Sequence, residues 1–485
     1  MNGDSAAAEP AGENACSAHG GLTASVPAPG YDGPFDAADR LAVYLQAGGF
    51  SAPAAAAKAG LFRRCAQTLR ALQWAASEEG RAYCVPGRIE VLGKHTDYAG
   101  GSSLVAAAEQ GFCLLAVPGD GPEVRIADAV RGETTRFALA AERLAPPGHW
   151  SNYPLTVARR LVRNFPGATR GVQIALASDL PPAAGMSSSS ALMVAIAFAL
   201  ADANDLWSHE RFLPELHEPL RLAGYLATIE NGQSYGPLAG DRGVGTFGGS
   251  EDHTAILCSQ PGFVRQYAYC PVRFQRQFPL PAGWTFAIAS CGVAAEKTGA
   301  ALEKYNRAAR LAAAVAERWR CETGGDAPHL AAVAHGQAGA ADRLRAILAG
   351  TAHGEFQAGE LLGRWEHFLI ENEAVIPAAG AALLEGDLAT FGRWVDQSQH
   401  AAETLLGNQV PETVFLAAEA RELGAAAASS FGAGFGGSVW ALVPTNGASE
   451  FLVDWRRAYL SQFPQHESEA TFFSSAAGPA LCRIK

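Results

Sequence analysis

One short run constrains this chain more than any other: Asp179-Leu180-Pro181-Pro182-Ala183-Ala184-Gly185-Met186-Ser187-Ser188-Ser189-Ser190-Ala191. A strand-like stretch, GVQIALAS, leads into the Pro pair, and a long apolar helix, SSSSALMVAIAFALADAN, leaves from the serines. Helix N-termini carry free N–H groups and partial positive charge, so a phosphate binds well there. Small side chains let it approach the backbone, and a serine hydroxyl can bond a phosphate oxygen or ligate Mg²⁺. The run is neither a GxxxxGK[ST] loop nor a GxGxxG loop, because the lysine and the glycine spacing are missing. The same residues would also suit an ordinary Ser-capped helix, so other segments have to decide.

Two segments bear on that choice. Residues 86–101 read PGRIEVLGKHTDYAGG, crowding Arg88, Lys94, His95 and Asp97 around a strand and a glycine-flanked turn. Convergent donors and acceptors of this kind suit a polyhydroxylated ligand; charge density alone would read as a surface hairpin. Residues 429–438, SSFGAGFGGS, form a glycine turn that includes Gly434 and precedes a strand, VWALV.

At 485 residues the chain exceeds what one core usually holds. Residues 1–36, rich in Ala, Gly, Pro and Ser, read as a flexible tail. Helical patterning follows over 37–78, then strands (AYCVPGRIEVLG, SLVAAAEQGFCLLAVPG, EVRIADAV), with β-like segments FVRQYAY and TFAIASC either side of 275. Helices dominate 297–426. This order predicts an α+β chain of two lobes, 37–275 and 276–485, with the site between them.

Net charge is −11, from 48 acidic and 37 basic residues with no Lys/Arg block, which argues against nucleic acid as a partner. No apolar run reaches a membrane-spanning length. Nine scattered cysteines without a CxxC pair fit a reducing compartment, and MNGDSAAAEPAGENACS has no signal-peptide pattern, so a cytoplasmic location is expected.

The serine run, in the order P-x-x-x-G-[LM]-S-S-S-[SA]-A, resembles the ATP-phosphate motif of GHMP kinases, and the glycine turn resembles that superfamily's third motif. Residues 86–101 resemble the galactokinase signature P-G-R-x-N-L-I-G-E-H-T-D-Y-N-G-G. Trp150-Ser151-Asn152-Tyr153, Glu303-Lys304-Tyr305-Asn306-Arg307 and Glu371-Asn372 resemble further galactokinase segments in order. The resemblance covers roughly residues 78 to 485 and implies an ATP-dependent sugar 1-kinase with the two-lobed GHMP fold, using Mg²⁺. Its partners would be ATP and a small-molecule sugar, in a monomer or weak homo-oligomer. It implies Asp252 as catalytic base, with Glu251 as a competitor, and Arg88 beside it. It places Lys94, His95, Asp97, Gly249 and Tyr305 at the sugar, and Gly185, Ser187, Ser188, Ser189, Ser190 and Gly434 at ATP. Ser189, or its neighbour Ser190, and Glu230 are the implied Mg²⁺ ligands; Glu230 would also suit a solvated helix carboxylate.

The chain departs from the signature at Lys94, where the family has Glu, and at Glu90, where it has Asn. Galactose is the leading substrate; a hexuronic acid such as galacturonate, which Lys94 would favour unless Glu90 neutralises it, is the chief rival, and another sugar such as a pentose the next. Residues 233–249, a Gly-rich insertion before Asp252, suit a lid or a reshaped pocket. A non-catalytic sugar and ATP sensor is the third reading.

Overall fold

The computed structural model describes residues 30–74, 80–142, 149–294, 299–350 and 352–485. Its first seven strands are β1 (Arg81–Leu92), β2 (Ser102–Pro118), β3 (Glu123–Asp128), β4 (Thr134–Ala138), β5 (Val172–Ser178), β6 (Phe263–Ala268) and β7 (Arg273–Pro279). Then come β8 (Trp284–Ser290), β9 (Ala427–Phe431), β10 (Ser438–Pro444), β11 (Thr471–Ser475) and β12 (Cys482–Arg483). The first sheet runs β12-β1-β2-β5-β3-β4, with β6 paired to β2 and to β7; the second runs β11-β8-β10-β9.

Alternation along β1 decides what covers each face of the first sheet. Ala82 and Cys84 face α1 (Ala38–Ala47) and α2 (Ala52–Ala71), whose Leu41, Ala59, Phe62 and Cys65 are buried against them. Tyr83 and Val85 face the opposite layer, α3 (Asn152–Asn164), α4 (Ser188–Ala203), α5 (Pro219–Asn231) and α6 (Glu251–Cys258). The apolar run after the serines is helix α4, and it is buried nearly all round, as a helix without a polar face must be.

The second lobe adds α7 (Gly299–Thr323), α8 (Leu330–Ala334), α9 (Ala340–Leu348), α10 (Ala358–Leu369), α11 (Ile376–Glu385), α12 (Leu388–Ala401), α13 (Pro411–Glu422) and α14 (Ala448–Gln462). The lobes share a core: Ile89 and Val91 of β1 pack with Phe286 and Ile288 of β8 and Trp440 of β10. Trp440 Nε1 donates to the Glu90 carbonyl at 3.1 Å.

Two expected boundaries move. The division at 275 falls inside β7, which is paired to β6 in the first sheet, and the second sheet opens only at β8. The tail ends earlier than 36: Tyr31 is buried and its N–H bonds the Ile484 carbonyl at 3.0 Å, while residues 1–29 lie outside the described residues. β7 was hidden in the sequence because RFQRQFP is a polar, half-exposed edge strand.

Candidate active site

The serine run is a loop wedged between the lobes. Ser187 and Gly185 both have positive φ, 60° and 70°, and α4 starts at Ser188. The glycine turn packs directly on this loop: Ser438 Oγ donates to the Ala184 carbonyl at 2.7 Å. A side chain at Gly432 would put its Cβ 2.7 Å from the Gly185 carbonyl, so only glycine permits that approach. Ser187 Oγ is buried without a protein partner beside the free N–H groups of α4, the cradle a phosphate group would complete. Ser188 and Ser189 are half-buried in the first turn of α4. Gly434 packs on Asn408, and the residues of this turn that line the cleft are Gly432 and Ala433.

The cleft's base joins β1 to α6. Arg88 Nε and Nη2 donate to the same oxygen, Asp252 Oδ1, at 2.9 and 2.8 Å. Both side chains are largely buried, at 5% and 16% exposure, so the pair is little screened. Burial works against the charge on Arg88, but Asp252, Glu251 and Glu90 outweigh it and hold the guanidinium protonated. Ser190 Oγ lies 2.7 Å from Glu230 Oε2 and 3.3 Å from Asp252 Oδ2. One hydroxyl carries one proton, and the shorter contact shows that Glu230 receives it. His253 Nε2 stands 3.6 Å from the same Glu230 oxygen. Among the described residues no three His, Cys, Asp or Glu groups converge as a metal site.

Opposite lies the turn after β1. Asp97 accepts the N–H groups of Tyr98 at 2.8 Å and Glu251 at 3.2 Å, which ties the turn to the start of α6. Burial, first of all, pushes its carboxyl up. His95 Nε2 lies 3.0 Å from the Ala433 carbonyl, which only accepts, so Nε2 carries a proton and Nδ1 takes the Tyr98 O–H at 2.5 Å. Tyr305 of α7 completes this wall, its ring 5.9 Å from that of His95. The Glu371-Asn372 segment after α10 holds the turn's backbone: Glu371 accepts from Gly93 N–H at 2.7 Å, and Asn372 from Ser102 N–H at 2.7 Å.

Gly249 is required by this geometry. A Cβ there would sit 2.4 Å from Asp97 Oδ2. Gly249→Ala therefore displaces the Asp97 carboxylate, an overpacking cost of about 1–3 kcal/mol. Steady-state kinetics should show the KM for sugar raised about tenfold or more, with the KM for ATP little changed.

Lys94 does not line the cleft. Its ammonium is buried in the second lobe, donating to Ser429 Oγ at 2.7 Å and Ser398 Oγ at 3.1 Å. Nor is the insertion a loose lid. Arg159 pairs with Asp241 at 2.7 Å, Arg160 donates to the Gln233 carbonyl at 2.7 Å, and Asn164 to that of Ala239 at 3.0 Å. These buried polar anchors on α3 make the insertion a fixed wall.

Glu90 and Tyr98 also line the cleft, although neither was expected there, and so does Glu251, expected only as a competitor to Asp252. Glu90 was legible, because it alternates with Arg88 on one face of β1. For Glu251, burial first and then the neighbouring Glu90 push its carboxyl well above the usual range, against the pull of Arg88. An acid raised on folding favours the folded state most when protonated, so its support is lost as pH rises above the unfolded value near 4.5. Glu251→Gln does not titrate. Its melting temperature relative to the unaltered protein should therefore increase from pH 5 to pH 8; a gap that stays flat or narrows contradicts the assignment.

Comparison with known proteins adds three family matches. The GHMP kinases N terminal domain matches residues 152–237, the galactokinase galactose-binding signature 74–118, and the GHMP kinases C terminal domain 380–461. A galactokinase of Roseiflexus sp. (strain RS-1) is 28% identical over 377 residues, covering 77% of this chain and 86% of its own. A galactokinase of Thermotoga neapolitana is 26% identical over 409 residues, covering 82% and 99%. The crystal structure of Lactococcus lactis galactokinase complexed with galactose superposes with a TM-score of 0.69 at 22% identity, covering 86% of this chain and 97% of that one, and so shares the fold.

Proposed function

The chain belongs to the GHMP kinase superfamily and its galactokinase family, and from that premise we propose that it transfers the γ-phosphoryl group of ATP to the anomeric hydroxyl of a galactose-type sugar. The observation that carries this reading is the buried Arg88–Asp252 pair, which faces a cleft walled by the phosphate loop on one side and His95, Asp97 and Tyr305 on the other.

Asp252, with Arg88 at one oxygen, takes the proton of the anomeric hydroxyl. That sugar oxygen bonds to the γ-phosphorus, the bond from phosphorus to the β–γ bridging oxygen breaks, and ADP leaves. Arg88 offsets the charge on the group in transfer. The N–H groups at the start of α4 and the Ser187 hydroxyl hold phosphate oxygens. Glu230 and Ser190 are the residues that would hold Mg²⁺, with Ser189 one position further out; the ion, when bound, neutralises phosphate charge. One carboxylate and one hydroxyl suit an ion that keeps most of its shell in phosphate and water. His95 and Asp97 hold the sugar hydroxyls, and Asp97 can accept from two at once. A cytoplasmic location, where ATP is abundant, goes with this reading.

The hexuronic-acid reading rested on Lys94, and the ammonium is engaged by Ser398 and Ser429 away from the cleft. The sensor reading needs a degraded site, whereas Ser187 to Ser190, Arg88 and Asp252 are all in place. A coupled ADP-release assay with Mg-ATP against galactose, galacturonate, glucose and arabinose tests the proposal. Turnover on galactose above galacturonate is expected; turnover on galacturonate alone, or on none of the sugars, defeats it.

A further inference from the structure

Negative charge outweighs positive in the cleft. Among the described residues, Glu90, Asp97, Glu230, Glu251 and Asp252 line it, against one permanent cation, Arg88. Three of these carboxyls have close donors: Asp252 has Arg88, Glu230 has Ser190, and Asp97 has two backbone N–H groups. Glu90 and Glu251 differ. Each is 4% exposed and in each Oε1 is buried; Glu251 Oε1 has a longer ion pair with Arg88 Nε at 3.3 Å, and the two carboxyls hydrogen-bond each other. Lys94 acts on Glu90 only across space, since its ammonium is spent on two serines. Burial pushes both carboxyls up, and Glu90 adds to the rise of Glu251; Arg88 and the hydrogen bond to Glu251 offset the rise of Glu90 only in part, which marks a pair short of positive charge.

The galactokinase signature carries an uncharged Asn where this chain has Glu90, so the acidic pair belongs to this chain. What satisfies two desolvated carboxyls is a cation with several N–H donors. Its place on the sugar follows from Arg88, whose Nε lies 3.3 Å from Glu251 Oε1 and 2.9 Å from Asp252 Oδ1. The two acids straddle one guanidinium nitrogen, so Glu251 sits next to the group that receives the anomeric proton. The carbon next to the anomeric one is C2.

We propose that the cleft takes a 2-amino-2-deoxyhexose, with its ammonium held between Glu90 and Glu251. This rests on the sugar-kinase reading and narrows its substrate class. The transfer is unchanged: the anomeric oxygen gains phosphorus, its proton goes to Asp252, and ADP leaves.

The test compares galactosamine, galactose and N-acetylgalactosamine as acceptors with Mg-ATP at pH 7. Galactosamine should have a kcat/KM roughly tenfold or more above galactose, the effect of one charged hydrogen bond, and N-acetylation should remove the advantage. Glu90→Asn and Glu251→Met, each measured on both sugars, should lower the galactosamine-to-galactose ratio by roughly tenfold. Galactose turned over at least as well as galactosamine by the unaltered protein would overturn the proposal and make the pair a neutral acid couple sharing a proton. A ratio unmoved in both variants would overturn it as well. If one variant fails to fold, the unaltered protein's preference still decides. ADP from none of the three sugars removes the kinase reading itself, which separates that failure from this one.

Discussion

Asp252→Asn should lower kcat for sugar phosphorylation by roughly two to four orders of magnitude, the usual contribution of a positioned general base. The amide keeps the shape of the carboxylate and can still accept from Arg88 Nε and Nη2, which lie 2.9 and 2.8 Å from Oδ1. It cannot take the anomeric proton. The proposed mechanism places ATP at the α4 N-terminus and the Ser187 hydroxyl, away from this substitution, so its binding, followed by fluorescence or calorimetry, should survive. Unchanged turnover would take Asp252 out of the mechanism and leave Glu251, the neighbour on the other side of Arg88, as the base to test next.

Arg88→Met is the substitution expected to cost most in stability. Among the described residues Arg88 is the only permanent cation lining the cleft, and Glu90, Glu251 and Asp252 all act on it. Removing one member of a buried ion pair typically costs 3–5 kcal/mol, because the partner is left charged and desolvated. Here the loss leaves several carboxyls repelling one another. The sign with pH follows: without Arg88 the carboxyls of Glu90 and Glu251, already raised by burial, rise further, and they stop repelling once protonated. The deficit, read from urea unfolding midpoints, should therefore be largest at pH 8 and shrink towards pH 5. Arg88→Lys keeps the charge but loses the two-pronged contact, so its deficit should be smaller. A Met variant as stable as the unaltered protein at pH 8 would mean that the carboxyls are already neutral there.

Much of the site was legible from residue order alone. The serine run, the sugar turn and the glycine turn each form within a few neighbouring residues, where backbone preference and side-chain size act directly. Gly185, Ser187 and the start of α4 are of this kind, and so are Arg88 and Glu90, alternating on one face of β1. Edge strands carried a weaker signal. β9, AASSF, is short and serine-rich, yet wholly buried because α12 and α13 pack against it beside β10.

The amino-acid sequence by itself determined the family, the three motifs and the inventory of charged groups brought to the cleft. Only the tertiary structure decided how those charges are shared. Arg88 and Asp252 are 164 residues apart in the chain and 2.8 Å apart in space. Lys94, by contrast, sits in the signature itself but turns to Ser398 and Ser429 in the other lobe. A side chain's local neighbours set its chemical type and backbone geometry. Its partner and its charge state are set by burial and by long-range packing, which a strand or a turn read alone does not contain.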